Sequence, residues 1–130
     1  MITSLYAGIL ALLMVKISLD TIKIRQKYQI SLGPGENNEV EQMASAHSNF
    51  SQYVPPLLIL LYLLEQSQTV PVVLIHLIGI SFTIGRYYHY IAFKGEKMWF
   101  KMRKRGMKLT LFPLIILGCL NIYAFIMNLI

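Results

Sequence analysis

The chain has 130 residues, of which 55% are hydrophobic and only 14% charged, and its mean hydropathy is +0.54. Soluble domains carry about a quarter charged residues, so this composition excludes an ordinary water-soluble domain and indicates an integral membrane protein. The formal net charge of +6 does not point to nucleic acid, because the basic residues fall between apolar runs, and the single cysteine, Cys119, excludes an internal disulfide or a multi-cysteine metal site.

The pattern predicts a first span from about Ile2 to Ile24. No charged segment precedes the apolar stretch Ile2 to Val15, and Lys16, Asp20 and Lys23 follow it. This reads as a retained helix rather than a cleaved leader. Lys16 and Asp20, four apart, share a helix face and can pair. The plainer reading is a lysine reaching the interface beside a polar turn. The connection from Arg25 to Val40 holds Gly33-Pro34-Gly35 and Asn37-Asn38, which stop a helix and favour a wet loop.

A second span is predicted from about Val40 to Leu64, with Glu39 and Glu41 favouring its start and Pro55-Pro56 kinking it. Glu65 to Thr69 form a short link, and Pro71 suits the first turn of a third span, Val70 to Phe93. Gly79 and Gly85 permit close helix approach there. Arg86 and His89 share a face near its end, and an arginine at that depth needs a partner. Tyr87 and Tyr88 fit an interfacial aromatic belt equally well. Lys94 to Lys108 form a basic connection, read as a headgroup contact, before a fourth span from Leu109 to Ile130. Asn121 and Asn128 are its main polar groups, expected as bundle contacts or end positions.

All twelve Lys and Arg lie in the second half of span one, the end of span three, or the two long connections. This asymmetry predicts both basic connections on the cytoplasmic side and both termini on the opposite side. Four helix ends then converge at one level. They bring Arg25, His47, Asn49, Gln52, Arg86, His89 and Arg103 to a cationic pocket at the cytoplasmic interface, suited to a soluble anion meeting a lipophilic partner.

Several segments together resemble the MAPEG family (membrane-associated proteins in eicosanoid and glutathione metabolism), in particular its small bacterial branch. They are Arg25-Gln26-Lys27 with Ile30-Ser31-Leu32-Gly33-Pro34-Gly35, then Ala46-His47-Ser48-Asn49-Phe50 with Tyr53-Val54-Pro55. Gly85-Arg86 with His89, and Arg103 with Gly106-Met107 and Leu109-Thr110, complete the set. The resemblance covers nearly the whole chain as one domain, 1–130. It implies an all-α membrane protein, a left-handed four-helix bundle assembled as a homotrimer, in the bilayer of a bacterial inner membrane. It also implies glutathione as co-substrate, bound between subunits and transferred to a lipophilic small molecule or used to reduce a lipid peroxide.

By matching position, the resemblance assigns Asn49 and Arg86 to glutathione binding, Tyr53 to a ligand contact, and Arg103 to stabilising the thiolate. The family pattern has an arginine where this chain has Ser45, a glutamate where it has Gln52, and a tyrosine where it has Phe93. Tyr90, one turn before Phe93, is the candidate to replace that tyrosine. These departures motivate a second reading, a MAPEG-fold protein that binds another small anion or a lipid, or scaffolds, without glutathione catalysis. A four-span proton-coupled pump ranks third. It needs a membrane-embedded carboxylate, and Asp20, near candidate depth, has Lys16 to neutralise it.

Overall fold

The computed structural model describes residues 1–129, and these form four long helices with no strand among them. They are α1 (Ile2–Tyr28), α2 (Asn38–Ser67), α3 (Val72–Ala92) and α4 (Phe100–Met127). The expected end of span four at Ile130 lies outside the described residues.

Each boundary has a local cause. α1 ends at Gln29 in the left-handed conformation, φ 55°, where the amides of Gln29 and Ile30 return to the carbonyls of Gln26 and Arg25. The following loop turns through Gly33 and Gly35 at φ 65° and 57°, a region open to glycine at no steric cost. The Asn37 side chain then accepts from the Val40 amide at 3.1 Å, capping α2. Pro55 and Pro56 lie inside α2, which runs on from Asn38 to Ser67. Pro71 stands as the N-cap of α3, one residue outside the helix.

The largest difference from the sequence expectation is the start of α4. The basic run read as a connection is helical from Phe100 onward, nine residues ahead of Leu109. Lysine, arginine and methionine are good helix formers, and the one weak position in Phe100 to Lys108, Gly106, is carried within the helix. The Trp99 amide donates to the Ala92 carbonyl at 2.9 Å, which folds the short link 93–99 back against α3.

Side-chain contacts give the order up-down-up-down. Ser18 on α1 meets His47 near the start of α2, while the amides of Ile2 and Thr3 meet Glu65 near its end. Tyr6 meets His76 and Asp20 meets Tyr90, so α1 and α3 run parallel. Gly85 packs on Leu109 and Gly106 on His89, so α3 and α4 run antiparallel. A Cβ on Gly106 would stand 2.7 Å from the His89 amide nitrogen, and one on Gly85 would stand 2.7 Å from the Leu109 Cβ. Both glycines therefore let α3 and α4 approach at the basic end.

Leu10, Ile17, Phe50, Leu57, Leu61, Phe82 and Leu117 fill the bundle centre and are almost completely buried. Leu12, Val73, Phe112, Ile115 and Phe125 point outward instead, an apolar surface that suits lipid tails. α1 and α4 are long and apolar enough to cross a membrane on composition alone. α3 has 21 residues, about 30 Å at 1.5 Å per residue, which also matches a bilayer core. All four helices bring polar side chains to the basic end, Arg25 from α1, Asn49 and Gln52 from α2, His89 from α3 and Arg103 from α4. Asn121, expected as a bundle contact, donates to the Leu60 carbonyl at 3.0 Å and ties α4 to α2.

Candidate functional site

A cleft of about 520 Å³ opens at the basic end. That volume lies within the range of small-molecule sites. One wall is a single face of α2, where Glu41, Ala44, Ser45, Ser48, Asn49 and Gln52 recur at helical spacing. Arg25 from the last turn of α1 and the Gly33-Pro34 turn form the rim. α3 contributes His89 and Phe93, and α4 contributes Arg103.

The two arginines are held by weak or local contacts that leave most of their donors free. Arg25 spends Nη1 on the Gly33 carbonyl at 2.9 Å, which fixes the loop against the end of α1. Arg103 lies over the Phe93 ring at 5.3 Å and directs Nη1 to the Met98 sulfur at 3.4 Å. His89 meets the same Phe93 ring, tilted by 40° with centroids 4.8 Å apart. His89 is 2% exposed, and its Nδ1 is buried without a hydrogen-bond partner among the described residues.

Behind the cleft lies Arg86, fully buried. Its Nη2 donates to Asn49 Oδ1 at 2.8 Å, and its guanidinium sits 5.8–6.0 Å from the rings of Phe50, Tyr53 and Phe82. Nε and Nη1 have no hydrogen-bond partner among the described residues. Aromatic faces stabilise a buried cation only partly, so this charge relies heavily on Asn49. Asn49 itself lines the cleft.

Five residues singled out from the sequence thus come together at the cleft: Arg25, Asn49, Gln52, His89 and Arg103. The other four stand apart from its walls. Arg86 and Tyr53 lie behind Asn49, and His47 turns to α1, with Nε2 3.0 Å from the Ser18 hydroxyl. The Tyr90 hydroxyl donates to Asp20, within a cluster that also takes Lys16 at 2.9 Å and Lys94 at 3.3 Å. The Lys16–Asp20 pair is present, so the lysine does more than reach for the interface.

Glu41 and Ser48 belong to the cleft and were not singled out as site residues. Their signal lay in the polar stripe 41, 45, 48, 49, 52, which continues one helix face ahead of the apolar run. The cleft carries two arginines against one carboxylate. It suits a small ligand bearing more than one anionic group together with a cationic one, since Glu41 can accept an ammonium.

A sequence profile of the MAPEG family matches residues 3–123. The inner membrane protein YecN of Escherichia coli K12 is 29% identical over 123 residues, covering 95% of this chain and 92% of the relative. YecN of E. coli O6:H1 matches to the same extent. A four-helix membrane fold with a polar cleft at one end and a profile match along nearly its whole length place this chain in the MAPEG family.

Proposed function

We propose that the chain binds glutathione in the basic-end cleft and transfers it to lipophilic electrophiles at the cytoplasmic face of a bacterial inner membrane. The observation that carries this reading is the cleft itself, with Arg25, Arg103 and Glu41 around one volume. Glutathione has two carboxylates, one ammonium and a thiol, the charge set those three side chains complement. The orientation rests on the gathering of lysine and arginine at one end. The compartment rests on the likeness to inner membrane relatives. A homotrimer is the expected assembly of this reading.

The chemistry follows from charge. Arg103 is exposed and only lightly held, so it can turn toward a bound sulfur and favour the thiolate over the thiol. The thiolate attacks an electrophilic carbon, a C–S bond forms, the leaving group departs with its electron pair, and the thiol proton passes to water. A lipophilic acceptor reaches the same level from the bilayer. With a lipid hydroperoxide, attack falls on the O–O bond instead, and a second glutathione completes the reduction to alcohol and glutathione disulfide.

Purified protein given glutathione and 1-chloro-2,4-dinitrobenzene should turn over, and Arg103→Ala should slow it by about 10²-fold, as removal of a charge-stabilising donor does. Turnover no faster than heat-inactivated protein, with this electrophile and with a lipid hydroperoxide, would sink the reading.

A second reading is favoured by one feature, that Ser45, Gln52 and Phe93 all line the cleft. In this reading the cleft binds a different small anion or a lipid without glutathione chemistry. It predicts no glutathione-dependent rise in unfolding temperature, and a gain of one in Ser45→Arg with Gln52→Glu. A rise with glutathione concentration in the unmodified protein, following mass action, decides for the first reading.

A further inference from the structure

A second cavity, about 500 Å³, lies between α3 and α4, on the side of their glycine contacts away from the basic end. Leu74, Leu77 and Ile78 of α3 and Phe112, Pro113 and Ile116 of α4 make most of its walls. Two polar residues join them, Ser81 and Lys108. They are ordered by depth. Lys108 sits at the level where Leu109 meets Gly85, and Ser81 lies one turn further into the bundle.

The Ser81 hydroxyl is the informative group. In a low-dielectric setting a helical serine or threonine ordinarily bonds back to its own helix. Thr21, Ser51, Thr83 and Thr110 all do so, each to the carbonyl four residues earlier. Ser81 is half-buried and its hydroxyl makes no hydrogen bond among the described residues. Lys108 is likewise exposed and in no ion pair among the described residues. A free cation, a free hydroxyl one turn below it and an apolar lane running on from there form a sequence of three chemistries.

We infer that this groove holds one anionic glycerophospholipid, with its phosphate on Lys108, an ester carbonyl on the Ser81 hydroxyl and an acyl chain along Leu77, Leu74, Phe112 and Ile116. A second copy of the chain fits less well, because it would have to bring a carboxylate to Lys108. Asp20, Glu39 and Glu65 are already bonded within the chain, and Glu36, Glu41 and Glu96 lie in or beside the connections, away from the groove. An anionic lipid supplies the missing charge from the bilayer, with the glycerol esters just beneath it. The groove is separate from the basic-end cleft and shares no lining residue with it.

The test uses the whole protein purified in a neutral detergent and titrated with dioleoylphosphatidylglycerol or dioleoylphosphatidylcholine. Bound lipid is counted by native mass spectrometry, and unfolding is followed by temperature. One phosphatidylglycerol per chain should be retained in preference to phosphatidylcholine, and it should raise the unfolding temperature with concentration. Lys108→Gln should weaken phosphatidylglycerol about fivefold, the share of one lysine against an anionic lipid, and leave phosphatidylcholine unchanged. Ser81→Ala should weaken both lipids alike, because an ester carbonyl is common to them. Leu77→Trp, at an exposed position, should fill the lane and remove retention. Equal retention of the two lipids, unaffected by Lys108→Gln, overturns the inference. So does loss of a defined oligomer on Leu77→Trp with no change in bound lipid, which would assign the groove to a second copy.

Discussion

Asp20 and Arg86 are both charges set within the bundle near its basic end, and the fold treats them in opposite ways. Asp20 accepts from Lys16, Lys94 and the Tyr90 hydroxyl, partners drawn from α1, from α3 and from the turn beyond it. Among the described residues Arg86 has one oxygen partner, Asn49, three aromatic faces, and two nitrogens without a hydrogen bond. The first cluster is closed, and its effect is to fasten the end of α3 to α1. The second is left with unpartnered nitrogens, buried behind the wall of the cleft that Asn49 forms. A buried polar group that is fully partnered is most simply structural, whereas one left partly unpartnered near a cavity is a candidate for a functional role. Lipid makes the contrast sharper, because an intramembrane charge has no water to fall back on.

The largest effect expected from breaking this comparison is at Asn49. Asn49→Ala removes the only side-chain oxygen bonded to Arg86 among the described residues and leaves that charge buried among rings. Loss of one partner of a buried charge costs about 3 kcal/mol or more, which should appear as a large drop in unfolding temperature in detergent. Asn49→Asp restores an acceptor and should recover most of that loss. Were Asn49→Ala as stable as the parent, the aromatic faces alone would be holding Arg86, and the open cluster would be no weaker than the closed one.

Tyr90→Phe tests the closed side with a smaller effect. It deletes a hydrogen bond to a carboxylate that keeps its two lysines, so the expected cost is about 1.5 kcal/mol. Ligand binding in the cleft should be unaltered. A variant of normal stability with weakened glutathione binding would move Tyr90 from the closed cluster to the site and undo the distinction drawn above.

Much of this arrangement is legible in the sequence, and the rest fails for identifiable reasons. The four helices follow from apolar runs separated by Gly33-Pro34-Gly35 and Pro71, signals that depend only on local geometry. The polar end is legible because lysine and arginine are confined to it. What is hidden is the direction of side chains around each helix. Residues 86, 89 and 90 lie within one turn, yet Arg86 faces Asn49, His89 faces the cleft and Tyr90 faces Asp20. Lys94 completing the Asp20 cluster is hidden too, since it depends on α1 and α3 running side by side. The early start of α4 is obscured by its charges, which read as a headgroup-contacting connection although lysine and arginine are good helix formers.

The smallest expected effect concerns the loop that carries the rim of the cleft, and it tests whether that rim is held as firmly as the clusters beneath it. Tyr28 donates its hydroxyl to Glu39 at 2.6 Å, and Lys27 stands 3.3 Å from the same oxygen, so the two ends of the Gly33-Pro34-Gly35 turn are joined outside the membrane. The Tyr28 hydroxyl, with Lys27 behind it, holds the Glu39 carboxyl below its ordinary value of 4.5. A carboxylate favoured in the folded state contributes stability that is complete above its unfolded value and is lost as pH falls through the lowered folded one. Glu39→Gln should therefore cost less than about 1 kcal/mol at neutral pH, because Lys27 is largely exposed. The difference between variant and parent should stay constant above about pH 5 and shrink on acidification below it. Other carboxylates titrate in the same window, so the reading is that difference rather than either curve. A gap that stayed unchanged down to pH 3 would mean that the Glu39 charge contributes nothing to holding the rim.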